Sequence, residues 1–254
     1  MKLLWDIAEI AITATAAVFV LGIASRLLPQ GWRNSDVTDL IDDLQAFNRV
    51  LFAFVLSSSI NMGWHSFDDA HTATVAEADA LSSIYFETGS ITTPEGQKIR
   101  TAIADYLNTV VEIEWPSMAR GHMSEVADDK MYDLQEEITS TPASQFENDS
   151  AHQAAVNDVK AARDQRNRRA MLVKSTTPFF IKFELVMSSM LLILMPVMRK
   201  PIFNRRTVIL ICALAIFATT ILVIVFELNG PFSGIIHVDP QPFRGQLERL
   251  TIQQ

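Results

Sequence analysis

The sequence has a single cysteine, Cys212, in 254 residues. No intrachain disulfide can form, and no thiolate cage for a metal is on offer. There is no glycine-rich phosphate loop and no metalloprotease histidine pair. The five histidines, His65, His71, His122, His152 and His237, are dispersed. His65 and His71 are six apart, a spacing that puts them off a common helical face. No nucleophile, base and acid come together in a usable pattern. The paired acids Glu112/Glu114 and Glu136/Glu137 read as solvated faces. The chain is therefore read as having no catalytic residues, no metal site and no cofactor, and it is not read as an enzyme. A net charge of −8 gives no overall basic footprint for nucleic acid.

What the chain does have is apolar runs. Residues 207–226 carry no charge over 20 positions, the length a helix needs to cross a hydrocarbon core of about 30 Å. Three more candidates accompany it, giving an all-α membrane protein with four transmembrane helices. Residues 1–64 form a first hairpin, with spans at about 7–28 and 47–67. Residues 179–229 form a second, with spans at about 179–198 and 207–228. A helical extramembrane region, 65–178, lies between them, and residues 230–254 form a C-terminal strap with a short amphipathic helix. Asp6 and Glu9 against Lys2 are the wrong flank for a signal peptide, so the first span reads as a retained helix. Trp5 and Arg26 would anchor it at the interfaces. Lys182 and Glu184 read as interface residues, as does Glu227 at the end of its span, where a carboxylate reaches water.

The extramembrane region divides by charge. Residues 65–150 hold 17 acids and 4 Lys/Arg, whereas residues 151–178 hold 2 acids and 6 Lys/Arg. It reads as helices throughout. Thr93 and Pro94 begin one, with Ile99, Ile103, Tyr106, Val110 and Ile113 on its inner face and Pro116 ending or bending it. Val126, Leu134 and Ile138 mark a weaker face on the next. The basic stretch from Gln153 is helical by composition and is expected to run into the third span. The second span has no Gly or Pro after Gly63 for many residues and can continue as one helix well beyond the membrane. Gly234–Val238 is the one candidate for an extended segment. Asp239 can cap a last helix whose apolar face is Phe243, Leu247 and Leu250.

The second span carries the functional signal. With Ser57 as zero on an ideal helix, Asp68 falls at about 20°, Asn61 and Asp79 at about 40°, His65 at about 80° and Ser58 at about 100°. Leu51 and Phe54 lie on the same stripe toward its N-terminal end. Phe52, Leu56, Ile60, Gly63, Trp64 and Phe67 occupy the far side. Two readings stay open. The polar arc can hydrogen-bond between helices in a bundle. Alternatively it lines a water-filled path, with Leu51 and Phe54 as constriction, Ser57, Ser58, Asn61 and His65 as lining, and Asp68 and Asp79 as charge at a mouth. His65 could then make conduction pH-sensitive, since imidazole titrates near about 6.5.

The run from Phe52 to Ile91 ends in an acid–Ala–x–Ala–Leu–x–x–hydrophobic–Tyr pattern. "IADYLNTVVEIEWPSMARG" follows, then the basic stretch before the third span, then "ELNGPFSGIIHVDPQPF". Together these segments resemble the bacterial bestrophin-like family of integral membrane proteins, over nearly the full chain. The resemblance implies four membrane helices, a pore lined by the second helix, and a homo-oligomeric ion channel, drawn as a pentamer or tetramer, in the bacterial inner membrane. It also implies a cytoplasmic central region. Charge counting points marginally the other way, because "RKPIFNRR", Arg26, Arg33 and Arg49 outweigh the basic run 160–174 among short loops. Asp68 and Asp79 favour cations by simple attraction, while the bestrophin resemblance favours anions or weak selectivity. The partners expected are lipid and small inorganic ions. The rival reading is a non-conducting membrane scaffold or sensor whose acidic region binds a protein.

Overall fold

A computed structural model describes residues 2–27, 35–88, 91, 93–174, 177–199 and 203–252. Among these the fold is helical and contains no strand: α1 (Lys2–Leu27), α2 (Ser35–Glu87), α3 (Pro94–Thr109), α4 (Trp115–Met118), α5 (Glu125–Ser140), α6 (Asp149–Lys174), α7 (Phe179–Arg199), α8 (Arg205–Leu228) and α9 (Gln241–Ile252). A π-helical turn, Val110–Glu114, joins α3 to α4. The chain forms two compact units. One comprises Met1–Trp64 and Thr176–Asn229, the other His65–Ser175 and Gly230–Gln254. The long α2 contributes to both. Arg33, the side chain of Trp5 and residues 200–202 of the "RKPIFNRR" linker lie outside the described residues.

In the first unit, three helices rather than four are long and apolar enough to cross a membrane among the described residues: Ile7–Leu27, Phe179–Met198 and Arg205–Leu228. This corrects the four-span expectation. The stretch 47–67 fails because Asn48, Arg49, Ser57, Ser58, Ser59, Asn61 and His65 dilute its apolar content. Helix α1 packs on α8 and α7 through Ala17, Leu21, Val197, Ile211 and Ala215. Helix α2 lays Phe52 against Leu185 and Val225. The buried Asn48 amide donates to Ser188 O at 3.0 Å. At Gly63 an added Cβ would stand 2.9 Å from Leu228 Cβ, so a small residue sets how closely α2 and α8 approach. Glu227 is buried, 8% exposed, rather than reaching water. Glu184 accepts from Ser188 Oγ at 2.8 Å.

The second unit is built round α3, α5, α6 and the C-terminal half of α2. Its core joins Leu81, Ile84, Ile99, Ile103, Leu107, Met131, Leu134, Ile138 and Val159. The inner face of α5 is Ala127, Met131, Leu134 and Ile138, and the expected Val126 is 49% exposed. Pro116 does not end the α3 helix. It has no N–H to return to the carbonyl four residues back, and the chain passes it through the π turn, with Trp115 N–H reaching Val110 O. A π turn inserts one residue into the helical count. Val110 stays inside, but Ile113, expected inside, is turned out to 45% exposure, and Glu114 enters the core at 0%. Helix α6 stops at Lys174 and does not run into α7, because Pro178 disfavours helical backbone at the residue before it.

Gly96 sits in the first turn of α3 hard against the end of the α2 connection. A Cβ there would fall 2.5 Å from Ile91 O and 2.6 Å from Ile91 Cβ. Gly96→Ala is expected to lower stability by about 1–3 kcal/mol through overpacking, despite alanine's better helix propensity. Chemical unfolding of the detergent-solubilised protein measures it, and a stabilised variant would contradict the packing.

Candidate functional site

Helix α2 is closed on one side and open on the other. Phe52, Ser59 and Gly63 are buried, whereas Phe54, Ser57, Asn61, His65, Asp68 and Asp79 are exposed and Leu51 and Ser58 are half-buried. Phe54 is 71% exposed, and its neighbours Phe47 and Val50 are 67% and 71% exposed. All eight sequence-derived positions thus keep some surface, and six are open. Among the described residues little covers Phe54, although it is a large aromatic group beside a polar stripe. Asp79 also lines a surface groove with His71, Asp239 and Arg249. Among the described residues no cluster of three or more His, Cys, Asp or Glu is arranged to hold a metal.

A second constellation lies inside the second unit, and the sequence reading missed it. Arg169, fully buried, donates from Nε to Glu77 Oε2 at 2.7 Å and from Nη2 to Glu77 Oε1 at 2.8 Å. Its Nη2 also lies 3.0 Å from Glu114 Oε1. Arg166 Nη2 donates to Glu114 Oε2 at 2.7 Å, and its Nη1 pairs with Asp128. The Tyr106 hydroxyl donates to Glu77 Oε1 at 2.5 Å. Glu114, expected on a solvated face, is the centre of this cluster, while Glu112 is exposed as expected. Burial alone would lower the Arg169 pKa, but the Glu77 and Glu114 carboxylates outweigh it and hold the guanidinium charged. Burial, then the Glu77 charge, push the Tyr106 phenol well above its ordinary range, so it stays a donor.

This cluster is where the two most distinctive sequence segments meet. Trp115 Nε1 donates to Val238 O at 3.2 Å. Its ring packs edge-on against Phe232 and Phe243, with centroids 5.6 and 5.8 Å away. The Arg169 guanidinium lies 5.5 Å from the Trp115 ring centre and 5.3 Å from that of Phe243. The strap holds this position through turns, not as the extended segment expected. Ser233 N–H reaches Gly230 O at 2.9 Å and Val238 N–H reaches Pro231 O at 2.8 Å, and Gly234 takes a φ of 91°, which favours glycine. Helix α9 then buries Phe243 and Leu250, with Leu247 packed beside them.

A bestrophin-like domain model matches residues 11–243. The chain belongs to the bestrophin-like family. The resemblance read from its segments is thereby confirmed. Crystal structures of a bacterial bestrophin homolog from Klebsiella pneumoniae share the fold. One single-residue variant aligns with a TM-score of 0.70 and 13% identity over 96% of this chain and 99% of that one. A structure phased on zinc gives 0.69 and 12% over 96% and 97%. A second variant gives 0.68 and 12% over 97% and 98%. Among curated proteins none matches. The bestrophin-like chain is a multi-pass membrane protein, and its Trp–Pro and strap segments pack together as a structural joint.

One acidic pair in the second unit predicts a pH effect. Glu87, at the end of α2, has its pKa raised, first by burial and then by Asp158. Burial raises Asp158 as well. A carboxyl whose folded pKa is raised favours the folded state when protonated, and that contribution is lost as pH rises through the folded value. Glu87→Gln should therefore raise the melting temperature at pH 8, with the gain shrinking toward zero below pH 4.5, the ordinary value for the group. A gain that is constant with pH would point to a cause other than titration.

Proposed function

We propose that this bestrophin-like chain forms a homo-oligomer, a pentamer or tetramer in the bacterial inner membrane, that conducts small inorganic ions through a pore lined by α2. The observation that carries the proposal is the one-sidedness of that helix. Its Phe52 face is closed within the chain, while the Phe54, Ser57, Asn61 and His65 face is left open. Polar groups facing hydrocarbon without partners are costly, and copies of α2 arranged round a central axis would give them water instead. Leu51 and Phe54 then form an apolar ring that gates by dewetting, and Ser57, Ser58, Asn61 and His65 line the path beyond it. Asp68 and Asp79, both exposed, attract cations toward one mouth. The extramembrane unit faces the cytoplasm. Family membership supports the channel reading.

Purified protein in liposomes tests this directly. Ion flux is expected, with a reversal potential leaning toward cations that moves toward anions in Asp68→Asn. Glu125, Asp129, Asp133 and Glu136 form an exposed acidic face on α5, the feature that favours a scaffold binding a basic protein partner instead. A well-formed oligomer that passes no ions would put the scaffold ahead. A monomer, or a dimer with no central axis, would end the pore reading.

A further inference from the structure

A cavity of about 430 Å³ opens in the first unit between α1, α7 and α8. Its walls are almost wholly apolar, and among the described residues that line it Glu9 is the one charged side chain. Along α1 the lining runs from Glu9 through Ala16 to Val20, a rise of about 16 Å. Met190 and Ile193 face it from α7 and Phe226 from α8. Its threonine hydroxyls are already used: Thr13 Oγ1 donates to Glu9 O at 2.8 Å and Thr219 Oγ1 to Ala215 O at 2.9 Å. They ask nothing of an occupant. The cavity therefore presents a long greasy channel with one carboxylate at the end of its α1 wall.

We infer that this groove binds one phospholipid with a primary-amine headgroup, its acyl chain along the α1–α7–α8 cavity and its ammonium on Glu9. The argument is complementarity on both counts. All three helices that form the groove are apolar enough to cross a bilayer, so hydrocarbon chains are the medium that surrounds them. A concave apolar site takes up an elongated apolar ligand, and a single polar group fixes its orientation. The carboxylate selects a cation. A primary ammonium donates charge-assisted hydrogen bonds to it, which a quaternary choline cannot do, and an anionic glycerol headgroup is repelled. The site does not depend on whether the protein conducts.

The test uses the full chain in nanodiscs of equal parts ethanolamine, choline and glycerol phospholipid, followed by mild detergent extraction and native mass spectrometry of the lipid retained. Wild type is expected to keep the ethanolamine lipid several-fold over the other two. Glu9→Gln should keep lipid but lose the headgroup preference. Ala16→Trp, which fills the groove from a position exposed to it, should lose the retained lipid while keeping the wild-type oligomeric state. Retention of ethanolamine lipid by Ala16→Trp at the wild-type level would overturn the site, because such lipid is a general annulus. A headgroup preference that survives Glu9→Gln would overturn the role of the carboxylate. Efficient cross-linking between copies through Ile12→Cys would overturn it too, by showing a neighbouring chain in the groove.

Discussion

Arg169→Met is expected to destabilise the second unit by about 3–5 kcal/mol, the usual cost of removing one partner from a buried ion pair. The guanidinium is fully buried and serves two carboxylates at once, Glu77 at 2.7 and 2.8 Å and Glu114 at 3.0 Å. Without it, Glu77 retains only the Tyr106 hydroxyl among these partners, and Glu114 retains Arg166. One positive charge then faces two buried negative ones, with Asp128 also drawing on Arg166. Arg169→Lys should recover little, since an ammonium cannot reproduce the two-pronged contact with Glu77. Glu77→Gln combined with Arg169→Met should be less damaging than the sum of the two single changes, because it removes the orphaned charge. Chemical unfolding of all four proteins closes the cycle. Additive losses would show that Glu77 and Arg169 do not act as a pair.

The same residues show what a sequence discloses and what it hides. The long apolar helices and the reach of α2 follow from uninterrupted composition, and the end of α8 from Gly230 and Pro231. The open arc of α2 is visible because its polar and apolar residues keep helical spacing within one unbroken helix. The ionic cluster is hidden for a definite reason. The π turn at Val110–Glu114 shifts the register by one residue, so a count at ordinary helical spacing puts Ile113 inside and Glu114 in water. A subtler signal was present. Arg166 and Arg169 continue the inner stripe of Ala155, Val159 and Ala162 on α6, and Glu77 continues that of Ala70 and Thr74 on α2. Charges that continue a buried stripe from two helices, with opposite sign, are candidates for pairing inside the core. The error over the second span has the opposite cause. Its length is sufficient, but its serines and Asn61 lower its hydropathy below that of a helix that crosses a membrane on composition alone.

That deficit shapes the second large effect. Phe54→Ala is expected to raise ion flux through reconstituted protein several-fold, without loss of assembly. Phe54 is 71% exposed and contributes little to packing within the chain, so its truncation should not unfold the protein. In a ring of subunits it would remove the bulk that narrows and dries the path, and a wider constriction holds water more readily. Phe52, two residues earlier on the same helix, supplies the control. It is 8% exposed, against Leu185 and Val225, and Phe52→Ala should lower stability by leaving a cavity instead of opening a path. Phe54→Trp should reduce flux below wild type. Two aromatic residues on opposite faces of α2 are thus predicted to differ in kind, one acting on conduction and the other on stability. If Phe54→Ala leaves flux at the wild-type level, α2 does not line the path, and the open face between Phe54 and His65 has to be explained as a surface for another protein.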